Sequence, residues 1–216
     1  MAEYFYQPPD VPLVILYRDD DLVVVDKPSG LLSVPGKTPE KADCLIARLT
    51  AAMPECLLVH RLDTDTSGVM VFAMNKPAQG AISQQFEKRK TTKSYLARLE
   101  GHLAPMTGRV DAPLCVDWPN RPRQHIDWEK GRPSQTDWKV LSHDTKETRV
   151  ALFPFTGRSH QLRVHMAHMG HPILGDRFYA TEAGRFHPRL MLHAYELGLF
   201  QPTTGAPLLF RAECPF

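Results

Sequence analysis

Between residues 94 and 213 the chain runs through SYLARLEG, TDWKVLSH, TRVALFPF, LMLHAYELGLF and APLLFRAE. These short segments are rich in apolar, β-branched and aromatic residues, with turn-forming letters between them, and they read as strands. A chain of doubly wound topology would alternate each strand with a whole helix. Here one helical stretch, opening near Ser159 and stopping at Gly170, interrupts the series. The arrangement this favours is α+β: a central mixed, mainly antiparallel sheet flanked by helices and loops.

The N-terminal part fits the same plan. VILYRDDDLVVVDKP reads as two strands around an acidic turn at Asp19–Asp21, followed by a Pro-Ser-Gly turn. From Thr38, an N-cap with Pro39 next, Leu45, Ile46, Leu49 and Met53 recur at helical spacing. Pro77 opens a second helix with Ile82 and Phe86 on its apolar side. That helix ends in EKRK, where positive charge suits the dipole. Residues 1–12 read as a loosely held tail and 13–216 as a single catalytic domain. There is no internal repeat. At 216 residues, with 43% hydrophobic and 23% charged residues, the chain can bury one substantial core and is not disordered.

Charge is informative in its distribution more than in its sum, a net +2 from 26 basic and 24 acidic residues. Lys88, Arg89, Lys90, Lys93 and Arg98 form one basic stretch. Arg121, Arg123, Lys130 and Arg132 form another, interleaved with Trp118 and Trp128. Two readings stay open for each stretch: a solvated face over buried aromatics, or cations for phosphates beside flat rings for bases. The four cysteines are widely spread, the N-terminus lacks the basic start and apolar core of a signal peptide, and no run approaches membrane-spanning length. The expectation is a cytoplasmic protein with reduced thiols, no membrane association and no obligate protein partner.

Asp63 sits in HRLDTDTSG (60–68), directly after the apolar Leu57-Leu58-Val59. Asp63-Thr64-Asp65-Thr66 resembles the D-x-D of one phosphatase class, but His60 and Arg61 interrupt the apolar approach that motif needs. No later acidic pair completes a magnesium site. His160, His165, His168 and His171 crowd twelve residues, yet no cysteine or HExxH-type pattern completes a zinc set, so no metal site is expected. GxxxxGK[ST] and GxGxxG loops are absent. A lone carboxylate can still act as nucleophile or base, most naturally at a sugar C1′. If 60–63 is extended, Arg61 and Asp63 share a face, and the arginine favours the charged carboxylate. The competing reading is a surface ion pair of little energetic consequence.

HRLDTDTSG resembles the HRLDxxTSG signature of the RluA family of RNA pseudouridine synthases. KPSGLLSVPG (27–36), KSYLARLEG (93–101), GRSHQLRVHMAHMGHPILGDRFY (157–179) and RLMLHA (189–194) resemble further blocks of that family, in the same order. DWPNRPRQ (117–124) is similar to the dual-specificity branch, acting on 23S rRNA and tRNA. The resemblance implies that family's fold and isomerisation of uridine to pseudouridine without cofactor. The implied targets are stem-loops: a 23S rRNA hairpin loop and a tRNA anticodon loop.

By the same resemblance Asp63 is the catalytic aspartate, either attacking C1′ or taking the C2′ proton. Tyr95 packs on the base and serves the proton transfer at C5. Arg163 is the basic residue paired with the aspartate, with Arg158 second for that role. Leu192 packs against the uracil, and Arg61 helps displace the target nucleotide. The catalytic blocks begin almost at once, so no S4-type RNA-binding module is expected; the domain's own surface is expected to hold the RNA, with Arg121 and Arg123 among its phosphate contacts. Two alternatives stand beside this reading: a single-specificity rRNA enzyme, and a non-catalytic RNA-binding or chaperone protein on the same fold.

Overall fold

The computed structural model describes residues 5–216, so the first four residues of the expected tail lie outside the described part. The rest of that segment has no helix or strand, but it is tied down. The Tyr6 ring is buried, its hydroxyl donating to the Asp43 carbonyl and accepting from Leu32 N–H. Arg48 holds the carbonyls of Pro9 and Val11.

The chain divides into two compact units, one of residues 1–92 and 194–214, the other of 93–193 and 215–216. In the first, β1 (Val14–Arg18) and β2 (Leu22–Lys27) form the expected pair around the acidic turn. The expected helix from Thr38 is shorter. Pro39–Lys41 forms a single 3-10 turn, and α1 runs only over Leu45–Ala52. Thr38 makes no side-chain cap, and Cys44, in extended conformation, restarts the chain into α1. The Thr-Pro signal thus marks a local turn rather than the helix.

β3 (Leu57–Leu58) and β2 both pair antiparallel with β4 (Ser67–Ala73). All seven residues of β4 are buried. Val69, Val71 and Ala73 pack with Leu22 and Val24 of β2 into the core of this unit. Each such valine or leucine contributes about 1.5–3 kcal/mol by leaving water. α2 (Lys76–Glu87) opens as its sequence dictates: Asn75 Oδ1 accepts from Ala78 N–H, Pro77 sits in the first turn, and Ile82 enters the core. Gly68 has φ +113°, and a Cβ there would run into the Ala194 backbone; only glycine fits this close approach.

The second unit contains β5 (Thr92–Glu100), β6 (Thr107–Asp111), a separate hairpin of β7 (Leu114–Val116) and β8 (Gln124–Ile126), then β9 (Gln135–His143) and β10 (Glu147–Pro154). The order β5-β10-β9-β6 is antiparallel at every step. α3 (Gln161–His168) starts two residues later than the sequence suggests and is followed by Gly170 at φ +81°. Six consecutive residues of α3, Gln161–Met166, are buried. Leu162 and Met166 join Val150, Leu152, Trp138 and Leu192 in this unit's core. The chain then returns to the first unit through β11 (Leu192–Phe200), which pairs with β12 (Pro207–Arg211). The architecture is the expected α+β fold.

Candidate active site

The HRLD loop belongs to the first unit and is built against the KPSGLLS segment. Lys27 is wholly buried, an unusual place for an ammonium. Its Nζ donates to the carbonyls of Pro28 and Thr64, both at 2.9 Å. Ser29 Oγ donates to the Asp65 carbonyl at 2.6 Å, and Gly30 N–H donates to the Thr64 carbonyl at 2.9 Å. Ser33 Oγ donates to the Leu62 carbonyl and accepts from Leu62 N–H. Thr66 N–H closes the turn onto the Asp63 carbonyl. Upstream, His60 Nε2 accepts from Val71 N–H while its ring stacks on Phe86 with centroids 4.6 Å apart. Backbone groups on both sides of Asp63 are therefore fixed by side chains 29 to 37 positions away in sequence. Burial alternates through the loop: Arg61 exposed, Leu62 buried, Asp63 half-buried.

The remaining site residues belong to the second unit. Arg163 and Asp176 are 3% and 1% exposed and form a bidentate pair, Nε to Oδ2 at 2.7 Å and Nη2 to Oδ1 at 2.8 Å. Oδ1 also accepts from Phe178 and Tyr179 N–H. The guanidinium is flanked by those two rings at 5.4 and 5.3 Å, so both its direction and its plane are set. Tyr95, on β5 opposite Leu152, is half-buried against the same core that contains Leu192. Arg158 lies in the loop before α3, where its N–H caps Gln161 Oε1 and its Nε approaches the Pro133 carbonyl at 3.5 Å. The structure thus gathers Arg61 and Asp63 on one loop, and Tyr95 and Leu192 on one core. Arg163 it sets beside Asp176.

Arg121 and Arg123 occupy the turn of the β7–β8 hairpin. Arg121 lies 4.6 Å over the exposed Trp118 ring, and Arg123 lies 5.8 Å over Phe178, whose ring also flanks Arg163. Tyr179 Oη joins this hairpin to the start of α3, accepting from Gln124 N–H at 2.8 Å and bonding His160 Nδ1 at 2.7 Å. Of the four crowded histidines, His165 is buried between Thr136 Oγ1 and the Ala112 carbonyl. His171 bonds the Glu100 carbonyl and His168 is exposed. Among the described residues, the grouping that could take a metal is elsewhere: Cys115, His125 and Asp127, with ligand atoms within 4.8 Å of one another.

Sequence reasoning missed Lys27, Ser29, Ser33, His60, Asp176 and Tyr179 as individual residues. The signal available for all six was their place inside the quoted KPSGLLS, HRLD and GDRFY blocks.

One carboxylate on a clamped loop, an arginine oriented by a buried acid, and an arginine-tryptophan turn are parts that suit chemistry on an RNA nucleoside. The chain matches the RNA pseudouridylate synthase family over residues 21–168, and it belongs to that family. It is 51% identical over 214 residues to the dual-specificity RNA pseudouridine synthase RluA of Escherichia coli (strain K12), covering 98% of each chain. To the protein of the same name from Yersinia pestis it is 50% identical, over 94% of this chain and all of that one. Among solved structures, human RNA pseudouridylate synthase domain containing 1 superposes with a TM-score of 0.80 at 32% identity, covering 97% of this chain and 87% of that chain.

Proposed function

We propose that this enzyme converts uridine to pseudouridine in two structured RNAs, a 23S rRNA hairpin loop and a tRNA anticodon loop, in the cytoplasm. The observation that carries the dual specificity is 51% identity to a dual-specificity RluA over 98% of both chains. The reaction breaks the C1′–N1 bond, turns the uracil so that C5 faces C1′, forms C1′–C5, releases the C5 proton and protonates N1. The product is an isomer, so neither redox equivalents nor an activated co-substrate enter the balance.

Asp63 is the catalytic carboxylate, by attack on C1′ or by removal of the C2′ proton. The clamped backbone around it, held by Lys27, Ser29 and Ser33, supports this role, because a reacting group is useful only when held in position. Arg163 is the cation that favours the charged aspartate, kept in orientation by Asp176, with Arg158 second for the role. Tyr95 and Leu192 take the base, with Tyr95 serving proton transfer at C5. Arg61 displaces the target nucleotide, since extruding a stacked base costs a few kcal/mol. Arg121 and Arg123 hold phosphates.

Mapping pseudouridines in total RNA from cells with and without this gene tests the proposal. Loss of one site in 23S rRNA and one in tRNA is the expected result. Loss of the rRNA site alone would leave a single-specificity enzyme. No loss anywhere would favour an RNA-binding role.

A further inference from the structure

Trp118 is 67% exposed, and Trp128 is 70% exposed. An indole offers a large flat apolar face whose burial against a partner is worth a great deal. Trp118 is also unusually well mounted. In the turn 117–123, Asp117 N–H donates to the Arg123 carbonyl, Asn120 N–H to the Asp117 carbonyl and Arg123 N–H to the Asn120 carbonyl. Asn120 Nδ2 donates to both carboxylate oxygens of Asp117, at 3.1 and 3.0 Å. The Arg121 guanidinium covers one face of the indole at 4.6 Å from its centroid. The opposite face remains for an incoming flat group.

Charge says which flat group. Arg121, Lys130 and Arg132 are exposed around this hairpin and its flank, against one exposed acid, Glu129. The nearby Asp117 and Asp127 carboxylates are occupied, the first by Asn120 and the second by the N–H groups of Glu129 and Lys130. A planar group arriving with negative charge beside it is a nucleobase carrying its phosphate.

We propose that Trp118, backed by Arg121, is a stacking shelf for one unpaired base of the substrate RNA, apart from the uridine that reacts. The inference rests on the RNA-modifying function proposed above and specifies how a loop, rather than a duplex, is selected. A paired base has both faces covered by its neighbours; a loop base can lend one face to the indole. Stacking is tolerant of base identity, so such a shelf can serve two different loops.

The test uses the full-length protein, a synthetic RNA stem-loop and a fully paired RNA duplex of equal charge. Trp118→Ala weakens stem-loop binding about 10- to 100-fold, as loss of one stacked base does, and Trp118→Phe restores most of it. Duplex binding changes little, and the slope of log Kd against log salt is kept, because no phosphate contact is lost. In Trp128→Phe protein, where Trp118 is the exposed indole and Trp138 is buried, the stem-loop quenches indole emission and the duplex does not. Wild-type stem-loop affinity in Trp118→Ala, or an equal loss on both RNAs with a flattened salt slope, overturns the shelf. The two readings fail separately. Protein that binds and quenches but forms no pseudouridine refutes the enzymatic function alone, whereas Trp118→Ala with wild-type kcat/KM refutes the shelf alone.

Discussion

Asp176→Asn should be among the most damaging isosteric changes available to this protein. Oδ1 of Asp176 takes three donors, Nη2 of Arg163 and the N–H groups of Phe178 and Tyr179, while Oδ2 takes one, Nε of Arg163. Asparagine keeps its carbonyl at the three-donor position and must then turn its amide N–H2 toward Nε–H. One hydrogen bond becomes a donor–donor clash, and the charge opposite a guanidinium only 3% exposed disappears. Breaking one side of such a buried pair costs about 3–5 kcal/mol. For a chain of this length each kcal/mol moves the melting point by roughly 2–4 °C, so a fall of roughly 6–20 °C is expected in a thermal melt. Because the pair acts as one unit, Arg163→Met combined with Asp176→Asn should cost clearly less than the sum of the two single changes. A melting point within about 2 °C of wild type, or strictly additive single and double costs, would refute the reasoning.

Lys27→Met keeps the aliphatic stem but strips the charged donor from the Pro28 and Thr64 carbonyls. A loss of about 3 kcal/mol is expected, with kcat reduced about 100-fold at temperatures where the variant stays folded, since a small misplacement of the Asp63 loop suffices; wild-type kcat would contradict this. Burial pushes the His165 imidazole below its usual pKa, so on acidification the unfolded chain takes up its proton first. Stability is therefore lost as pH falls below about 6.5, and melting from about pH 7.5 to 5.5 should fall more steeply for wild type than for His165→Gln. Equal slopes would show that His165 is not the linked group. Charge reversal at Arg121 and Arg123 together should weaken RNA binding and flatten the log–log salt dependence by roughly 1.5–2 if each meets a phosphate, and an unchanged slope would remove them from the interface.

Much of the fold was legible because its elements carry strong local signals. The acidic turn between β1 and β2, the Pro77 start of α2 and the apolar runs of β5, β9, β10 and β11 each state their own conformation. What stayed hidden depended on distant partners or on short range. The β7–β8 hairpin consists of three-residue strands, too brief for any periodicity to register. α1 begins at Leu45, behind Cys44, a residue with no capping preference, while the Thr38-Pro39 signal belongs to a separate turn.

In the site, HRLD stood out as a motif, but its clamp did not. Nothing in KPSGLLS says that Lys27 will be buried, since lysine almost never is. Asp176 is one acid among 24 acidic residues; its partner lies 13 positions away, and only packing makes the pair a buried one. The two tryptophans of the basic stretch allowed either a buried or an RNA-facing reading, and their exposure favours the second.

Asp63 is proposed as the one carboxylate that carries the chemistry. Release of tritium from C5-labelled uridine in the substrate stem-loop, compared between wild type and Asp63→Asn, tests this most directly. Wild-type protein should release the label without added cofactor, while Asp63→Asn should release none and still bind the RNA within a few-fold of wild type. Sustained release by Asp63→Asn at the wild-type rate would mean that another group does the work.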